Sequence, residues 1–434
     1  MTRTISDWIM SAPTHWTRGR IKNLLASSTN GTWGSDPVGD GTDVKCVRAA
    51  DFDRVRQRVK KDYLPLRNID RATLRHHRLN PGDLILEKSG GGDKQPVGMA
   101  VLFDHSEIAV CSNFCSRIVP SRDVDSRFLA YVFSAAYSQG LTESSIKQTT
   151  GIQNLDSRAF LSSPWAYPKK EEQQRIANFL DVETGRINRL HSLQEKLIER
   201  LEEREIAQLN GAIDELIYRF GTVPLRRFIW KVDQGISPQC DAIPASDGEW
   251  GVLKVSCLRP GVFIPEQNKR LPDKATPEKK AEVREGDLLI TRANTPQLVG
   301  STAVVHKVRS KLLLPDKIFR VRLTGQISPE FVATIARGSR IRSLCAATSN
   351  GASQSMANIR FEEIKSWPLP AVDQAGQSKF VDQISRSREQ VDFLRPKIKN
   401  QLDLLTERRQ ALITAAVTGQ FDVSTASGRG VDLS

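Results

Sequence analysis

The sequence predicts an α/β (α+β) protein: two similar globular domains separated by two long antiparallel coiled-coil helices. Three observations carry this: an internal repeat of about 200 residues, short β-rich segments in the first part of each copy, and heptad-spaced apolar residues in the second part.

The repeat is read from motifs that keep their order. Ile21 and Leu24 recur as Leu225 and Phe228, and Asn80-Pro-Gly-Asp-Leu-Ile-Leu-Glu87 recurs as Arg284-Glu-Gly-Asp-Leu-Leu-Ile-Thr291. Gly98 recurs as Gly300, Phe128-Leu-Ala130 as Phe331-Val-Ala333, Gly151 as Gly351 and Pro168 as Pro370. Chance supplies one such match but not six in register.

In the first part of each copy, Leu84-Ile-Leu86 and Leu288-Leu-Ile290 read as buried strands, each opened by a Gly-Asp turn. Ala100–Phe103 and Ala303–Val305 read the same way, and a helical patch from Phe128 to Ala136 interrupts the strands.

The second part of each copy reads as a long helix. In the first copy Ile176, Leu180, Ile187, Leu190, Leu197 and Leu201 alternate by three and four, with Glu183 and Gln194 as polar interruptions. Gly221 and Pro224 stop it. In the second copy Ile384, Val391, Ile398, Leu405 and Leu412 stand seven apart, joined by Phe380 and Leu394; Gly419 ends the run and Pro396 is expected to kink it. A helix from Glu171 to Tyr218 extends roughly 70 Å, and each helix finds its natural partner in the other, which makes a spacer of fixed length. The expected boundaries are a first globular domain over 1–168, a helix over 169–219, a second domain over 220–370, a helix over 371–420 and a disordered Ser/Gly-rich tail over 421–434.

The chain has 434 residues, 63 Lys and Arg against 50 Asp and Glu, and a formal net charge of +13, which favours a polyanionic partner. No apolar run reaches the ~20 residues of a membrane span, and Met1–Ser11 has no signal-like apolar stretch, so a cytoplasmic location is expected. Of the six cysteines only Cys111 and Cys115 are close together; without a second pair they make no zinc site, and reduced buried thiols are expected.

Catalytic signatures are missing. There is no S-adenosylmethionine loop followed by an Asn-Pro-Pro-Tyr-like tetrapeptide, and Ser89-Gly-Gly-Gly-Asp-Lys94 lacks the Gly-Lys-Ser/Thr of a P-loop. Asp83, Glu87 and Lys88 resemble a nuclease cluster. Glu87 and Lys88 nevertheless point to opposite faces of a strand, and the second copy has Thr291-Arg292 there. No His-x-x-x-His pair occurs.

The order of domain, helix, domain, helix resembles the Type I restriction-modification specificity subunits along nearly the whole chain. Pro168-Lys-Lys-Glu-Glu172-Gln-Gln-Arg-Ile176 resembles that family's Pro-x-x-x-Glu-Gln-x-x-Ile helix start, and Arg408–Val423 its helix terminator. The second helix start, Pro370-Ala-Val-Asp373-Gln374, departs from the pattern.

The resemblance implies a non-catalytic chain that reads a bipartite double-stranded DNA site and docks two methyltransferase subunits and, through them, two restriction subunits. It implies no cofactor on this chain, with S-adenosylmethionine, ATP and Mg²⁺ used by the partners. The rivals are a self-sufficient DNA methyltransferase or endonuclease, disfavoured by the missing motifs, and a coiled-coil adaptor without a DNA role, disfavoured by the charge.

Two loops of each copy carry side chains suited to base readout while their flanking strands agree. After the Gly-Asp-Leu strand stand Lys88, Lys94 and Gln95, against Arg292, Asn294, Thr295 and Gln297. Around the late glycine stand Lys147, Gln148, Thr149, Gln153 and Asn154, against Thr348, Asn350, Ser353, Gln354 and Asn358. The run Arg54, Arg56, Arg58, Lys60 and Lys61 is expected to face phosphate or solvent.

Overall fold

The Asn80–Asp83 turn shows how the first domain is built. Gly82 takes a left-handed φ of +98°, and the Asp83 carboxylate accepts the Asn80 N–H at 2.8 Å. The turn delivers Leu84–Glu87 into the centre of a sheet, where all four residues are buried. The order of that six-stranded sheet is Leu25–Asn30, Cys115–Pro120, Leu84–Glu87, Ala100–Leu102, Arg58–Val59 and Phe52–Asp53. Both faces of this strand are covered, Leu84 and Leu86 by one apolar cluster and Ile85 by another, which is why it is a continuous apolar run.

The computed structural model describes residues 8, 10–60, 63–92, 95–149, 151–348, 350–353 and 356–423, with only the backbone described at 149, 348 and 350–353. The expected tail over 421–434 lies outside these residues beyond Val423. The chain divides into two compact units, Met1–Glu195 with Lys399–Ser434, and Lys196–Ile398.

In the first unit the helix Ser126–Ser138 is capped by Asp125, whose carboxylate accepts the Arg127 and Phe128 N–H groups. Its Phe128, Val132 and Phe133 are fully buried, each worth about 2 kcal/mol of transfer free energy. Their cluster takes in Ile176, Ala177 and Leu180 from the first long helix and Ile413, Ala416 and Val417 from the second, so both helices belong to this core.

The second unit repeats the pattern. Its main sheet has the order Ile229–Gln234, Ile318–Leu323, Leu288–Thr291 and Thr302–Val304. In place of the helix Ser126–Ser138 it has two, Pro329–Ala336 and Ser339–Thr348. Phe331, Val332 and Ile335 pack with Leu209 and Ile213 of the first long helix and with Phe380 and Ile384 of the second.

The long helices span Lys170–Phe220 and Gln374–Val417, the second running continuously through Pro396. Within the second unit Glu202 pairs with Arg395 at 3.0 Å, and Gln208 accepts from the Ser387 hydroxyl at 2.6 Å. One helix advances as the other retreats, so they run antiparallel.

The expected heptad seam holds only in part. Ile176, Leu180 and Ile187 are buried, whereas Leu190 and Leu197 are 51% and 44% exposed. An α-helix of 3.6 residues per turn drifts about 20° per heptad against a strict seven-residue repeat, and the buried face passes instead to Leu209 and Ile213. In the second helix Ile384, Val391 and Ile398 are buried and Leu394 is exposed.

Both long helices begin on a buried glutamine. Gln173 accepts the Asp125 N–H at 3.0 Å and donates to the Pro168 carbonyl at 2.9 Å. Gln377 accepts the Ser328 N–H at 3.0 Å and donates to the Val372 carbonyl at 3.0 Å. The divergent second start therefore keeps the glutamine and, three residues on, the buried apolar position (Phe380 for Ile176), while Gly376 replaces Glu172 and the spacing from proline is longer.

Candidate nucleic-acid interface

The two loops singled out in each copy come together in the fold. In the first unit the hairpin Ile146–Thr149 and Ile152–Leu155 pairs with Ser89–Gly90, placing Gln153 opposite Gly90 and Asn154 opposite Ser89. In the second unit Asn350–Ser353 and Met356–Asn358 pair with Ala293–Asn294, placing Asn358 opposite Ala293. Each unit thus carries a three-stranded sheet assembled from segments about 60 residues apart.

Strand alternation decides which side chains remain available. Gln148 and Asn154 are exposed, and Asn154 Oδ1 accepts the Ser89 hydroxyl at 2.7 Å. Gln153, expected among the readout residues, is buried, and its Oε1 accepts the Val97 N–H at 3.3 Å. It faces inward because its neighbours Ile152 and Asn154 take the outer face. Gln95 is exposed.

Lys88 donates to Asn30 Oδ1 at 2.8 Å and is half-buried, and burial lowers its pKa. Lys147 is exposed and reaches Asp156 at 2.8 Å; that hydrogen bond, with the Ala159 N–H, lowers the Asp156 pKa. Lys94 lies outside the described residues, as does the side chain of Thr149.

In the second unit Arg292, Thr295, Gln297 and Asn358 are exposed. Asn294 is half-buried, and its Oδ1 accepts the Thr295 N–H at 2.8 Å. The Gln297 carbonyl accepts from Arg342 at 2.7 Å. Gln354 lies outside the described residues, as do the side chains of Thr348, Asn350 and Ser353.

The basic run that follows Asp53 is largely spoken for. Arg54 binds both oxygens of Glu87 at 3.1 and 3.0 Å, Arg56 pairs with Asp53 at 2.8 Å, and Arg58 with Asp104 at 3.1 Å. Lys60 donates to the Ala50 carbonyl at 2.9 Å, and Lys61 lies outside the described residues. Arg54 and Arg56 lie in the turn between Phe52–Asp53 and Arg58–Val59, and the partners Glu87 and Asp104 come from other segments, which hides those two pairs from the sequence.

The nuclease-like trio is likewise tied up. Asp83 accepts from Arg117 at 2.7 Å, Glu87 holds Arg54, and Lys88 holds Asn30. Among the described residues no cluster of His, Cys, Asp or Glu could hold a metal ion, and no helix is long and apolar enough to cross a membrane. All six cysteines are free, and burial pushes the Cys46, Cys115 and Cys257 thiols up to about 12.

Residues 75–202 match the family described as the Type I restriction modification DNA specificity domain. The specificity subunit of the Type I restriction enzyme EcoEI of Escherichia coli is 30% identical over 191 residues, which are 44% of this chain and 32% of that protein. The chain thus spans about a third of that relative. The EcoKI specificity subunit of Escherichia coli strain K12 is 24% identical over 399 residues, 84% of this chain and 83% of that one. A chain from a structural study of complex assembly and conformational transition of the type I R-M system superposes with a TM-score of 0.65 at 16% identity, over 95% of this chain and all of that chain, and shares its fold. Residues 75–202 thus resemble the DNA specificity domain of Type I restriction-modification systems, and most of the chain is similar to a specificity subunit of such a system.

Proposed function

We propose that each unit reads one half of a bipartite double-stranded DNA site through its three-stranded sheet. The observation that carries this is the repeated assembly itself: Ser89–Gly90 with Ile152–Leu155, and Ala293–Asn294 with Met356–Asn358, place unlike polar residues on equivalent scaffolds. Gln95, Gln148 and Asn154 serve the first half-site, and Arg292, Thr295, Gln297 and Asn358 the second. Residues 1–168 and 220–370 are the two recognition domains, and 169–219 and 371–420 the spacer helices. The net charge of +13 supplies the sequence-independent attraction to phosphate.

The long helices dock two methyltransferase subunits, and restriction subunits join through them. Leu190 and Leu193 in the first unit, and Leu197 and Phe393 in the second, are apolar residues 44–63% exposed on those helices, left for a partner to cover. The partners use S-adenosylmethionine, ATP and Mg²⁺. The test is to exchange residues 1–168 for the equivalent domain of a relative and sequence the methylome of a host carrying the methyltransferase. One half of the methylated site changes while the other stays. A change in both halves, or in neither, overturns the modular reading.

A further inference from the structure

Beside the reading sheet of the first unit lies a cleft of about 900 Å³, within the ~300–1,000 Å³ range that encloses a small organic ligand. Its walls include Trp33, Phe52 and Phe114, and its rim includes Ile152 from the reading hairpin and the Ser89–Gly91 backbone. Phe114 and Ile152 are each 52% exposed, although each flanks a buried neighbour. At Gly90 and Gly91 φ is +122° and +49°, conformations that leave bare peptide along the rim, where a ligand can approach closely. Ser89, Gly90 and Gly91 of the glycine-rich stretch therefore form part of this rim.

Among the polar groups of the cleft is the Arg54–Glu87 pair. Glu87 is 3% exposed with both carboxylate oxygens on Arg54 Nη2, and each oxygen keeps further acceptor capacity. Burial raises the Glu87 pKa, with the Arg54 charge opposing it. Gln95 and Asn113 add exposed amides. The second copy has Thr291 in place of Glu87, so this carboxylate belongs to the first repeat alone.

A concave cleft with aromatic walls and recessed polar groups is the wrong shape for the edge of a stacked base pair, which side chains reach by projecting into a groove. It is the right shape for a base out of the stack, held against aromatic rings with its polar edge on amides and a carboxylate. We propose that this cleft receives one base swung out of the first half-site, so that the first unit reads that position by enclosure. The inference rests on the DNA-reading proposal above. It names Phe114 as the residue that stacks on the base and the Glu87 carboxylate as acceptor for an exocyclic amino group.

The test uses the full chain assembled with its methyltransferase partners, on duplexes of its own methylated site. In each duplex one base of the first half-site, the methylated adenine excepted, stands opposite an abasic position, which removes the cost of unpairing it. At one position binding tightens by roughly tenfold or more. Phe114→Ala abolishes that gain, and Phe114→Tyr, which keeps the ring, retains it. Phe114 is surface-exposed, so neither change empties the core. Specific binding of the intact site with no position tightened, or a gain that survives Phe114→Ala, overturns the cleft reading and leaves the half-site reading standing. Loss of sequence preference on every duplex overturns both.

Discussion

Arg117 Nε lies 2.7 Å from Asp83 Oδ2, and the same oxygen accepts the Asn80 N–H at 2.8 Å. One carboxylate therefore closes the turn before the central strand and ties that turn to the neighbouring strand. Asp287 does the same in the second unit, accepting the Arg284 N–H at 2.9 Å and lying 3.3 Å from Arg320. Both pairs are largely shielded from water.

Breaking such a pair strands a buried charge, at a cost of about 3–5 kcal/mol. Arg117→Ala is expected to lower the unfolding free energy of the first unit, measured in urea, by that amount, and Arg320→Ala that of the second by at least as much, since Arg320 also pairs with Asp233. The double variant is expected to lose the sum, since the two pairs share no partner.

The buried glutamines at the helix starts make a second test. Gln173→Leu leaves the Asp125 N–H and the Pro168 carbonyl without partners, and Gln377→Leu does the same to the Ser328 N–H and the Val372 carbonyl. Each is expected to cost about 2 kcal/mol in denaturant unfolding. Equal stability of variant and parent would show that water replaces these bonds.

Asp233 sets a pH dependence. Burial alone would raise its pKa, but hydrogen bonds from Arg322 and Lys231 and the charge of Arg320 outweigh this and hold it below the usual carboxylate range. A depressed folded-state pKa means that its stabilisation is complete above the unfolded-state value and is lost as pH falls through the folded one. Asp233→Asn is expected to flatten that part of the acid limb, measured as unfolding free energy between about pH 6 and pH 2.

Readout and phosphate contacts are separable by salt. Arg292→Ala and Asn358→Ala are expected to weaken methylation of the cognate site by roughly ten- to hundredfold and to relax the second half-site alone. Gln354→Ala is expected to act in the same way. Lys147→Ala is expected to weaken binding to all sequences alike and to reduce the slope of log affinity against log salt by about 1. Methylome sequencing and salt titrations distinguish the two patterns.

Four residues inserted after Glu195 lengthen the first long helix by about 6 Å. The expected outcome is a methylated site with unchanged half-sites and an altered gap, since a base pair rises about 3.4 Å. An unchanged gap would show that the helix does not set the spacing.

By itself the sequence determined whatever depends on neighbours along the chain. Six matched motifs revealed the duplication, Gly82-Asp83 and Gly286-Asp287 marked the turns into the central strands, and Gly221 and Gly419 marked the ends of the long helices. The loops around Ser89 and Gly151 were also legible, because differing polar residues stood between agreeing strands. Only tertiary structure showed that those loops pair in one sheet, with Asn154 opposite Ser89. It turned Gln153 inward onto the Val97 N–H, gave Arg54 to Glu87, and placed Gln377 where Gln173 stands in the first copy. It also left Leu190 and Leu197 exposed despite their heptad positions. The physical reason is the same throughout: periodicity and turn residues act over a few bonds, whereas the buried face of a strand or helix is chosen by the segment that packs across it.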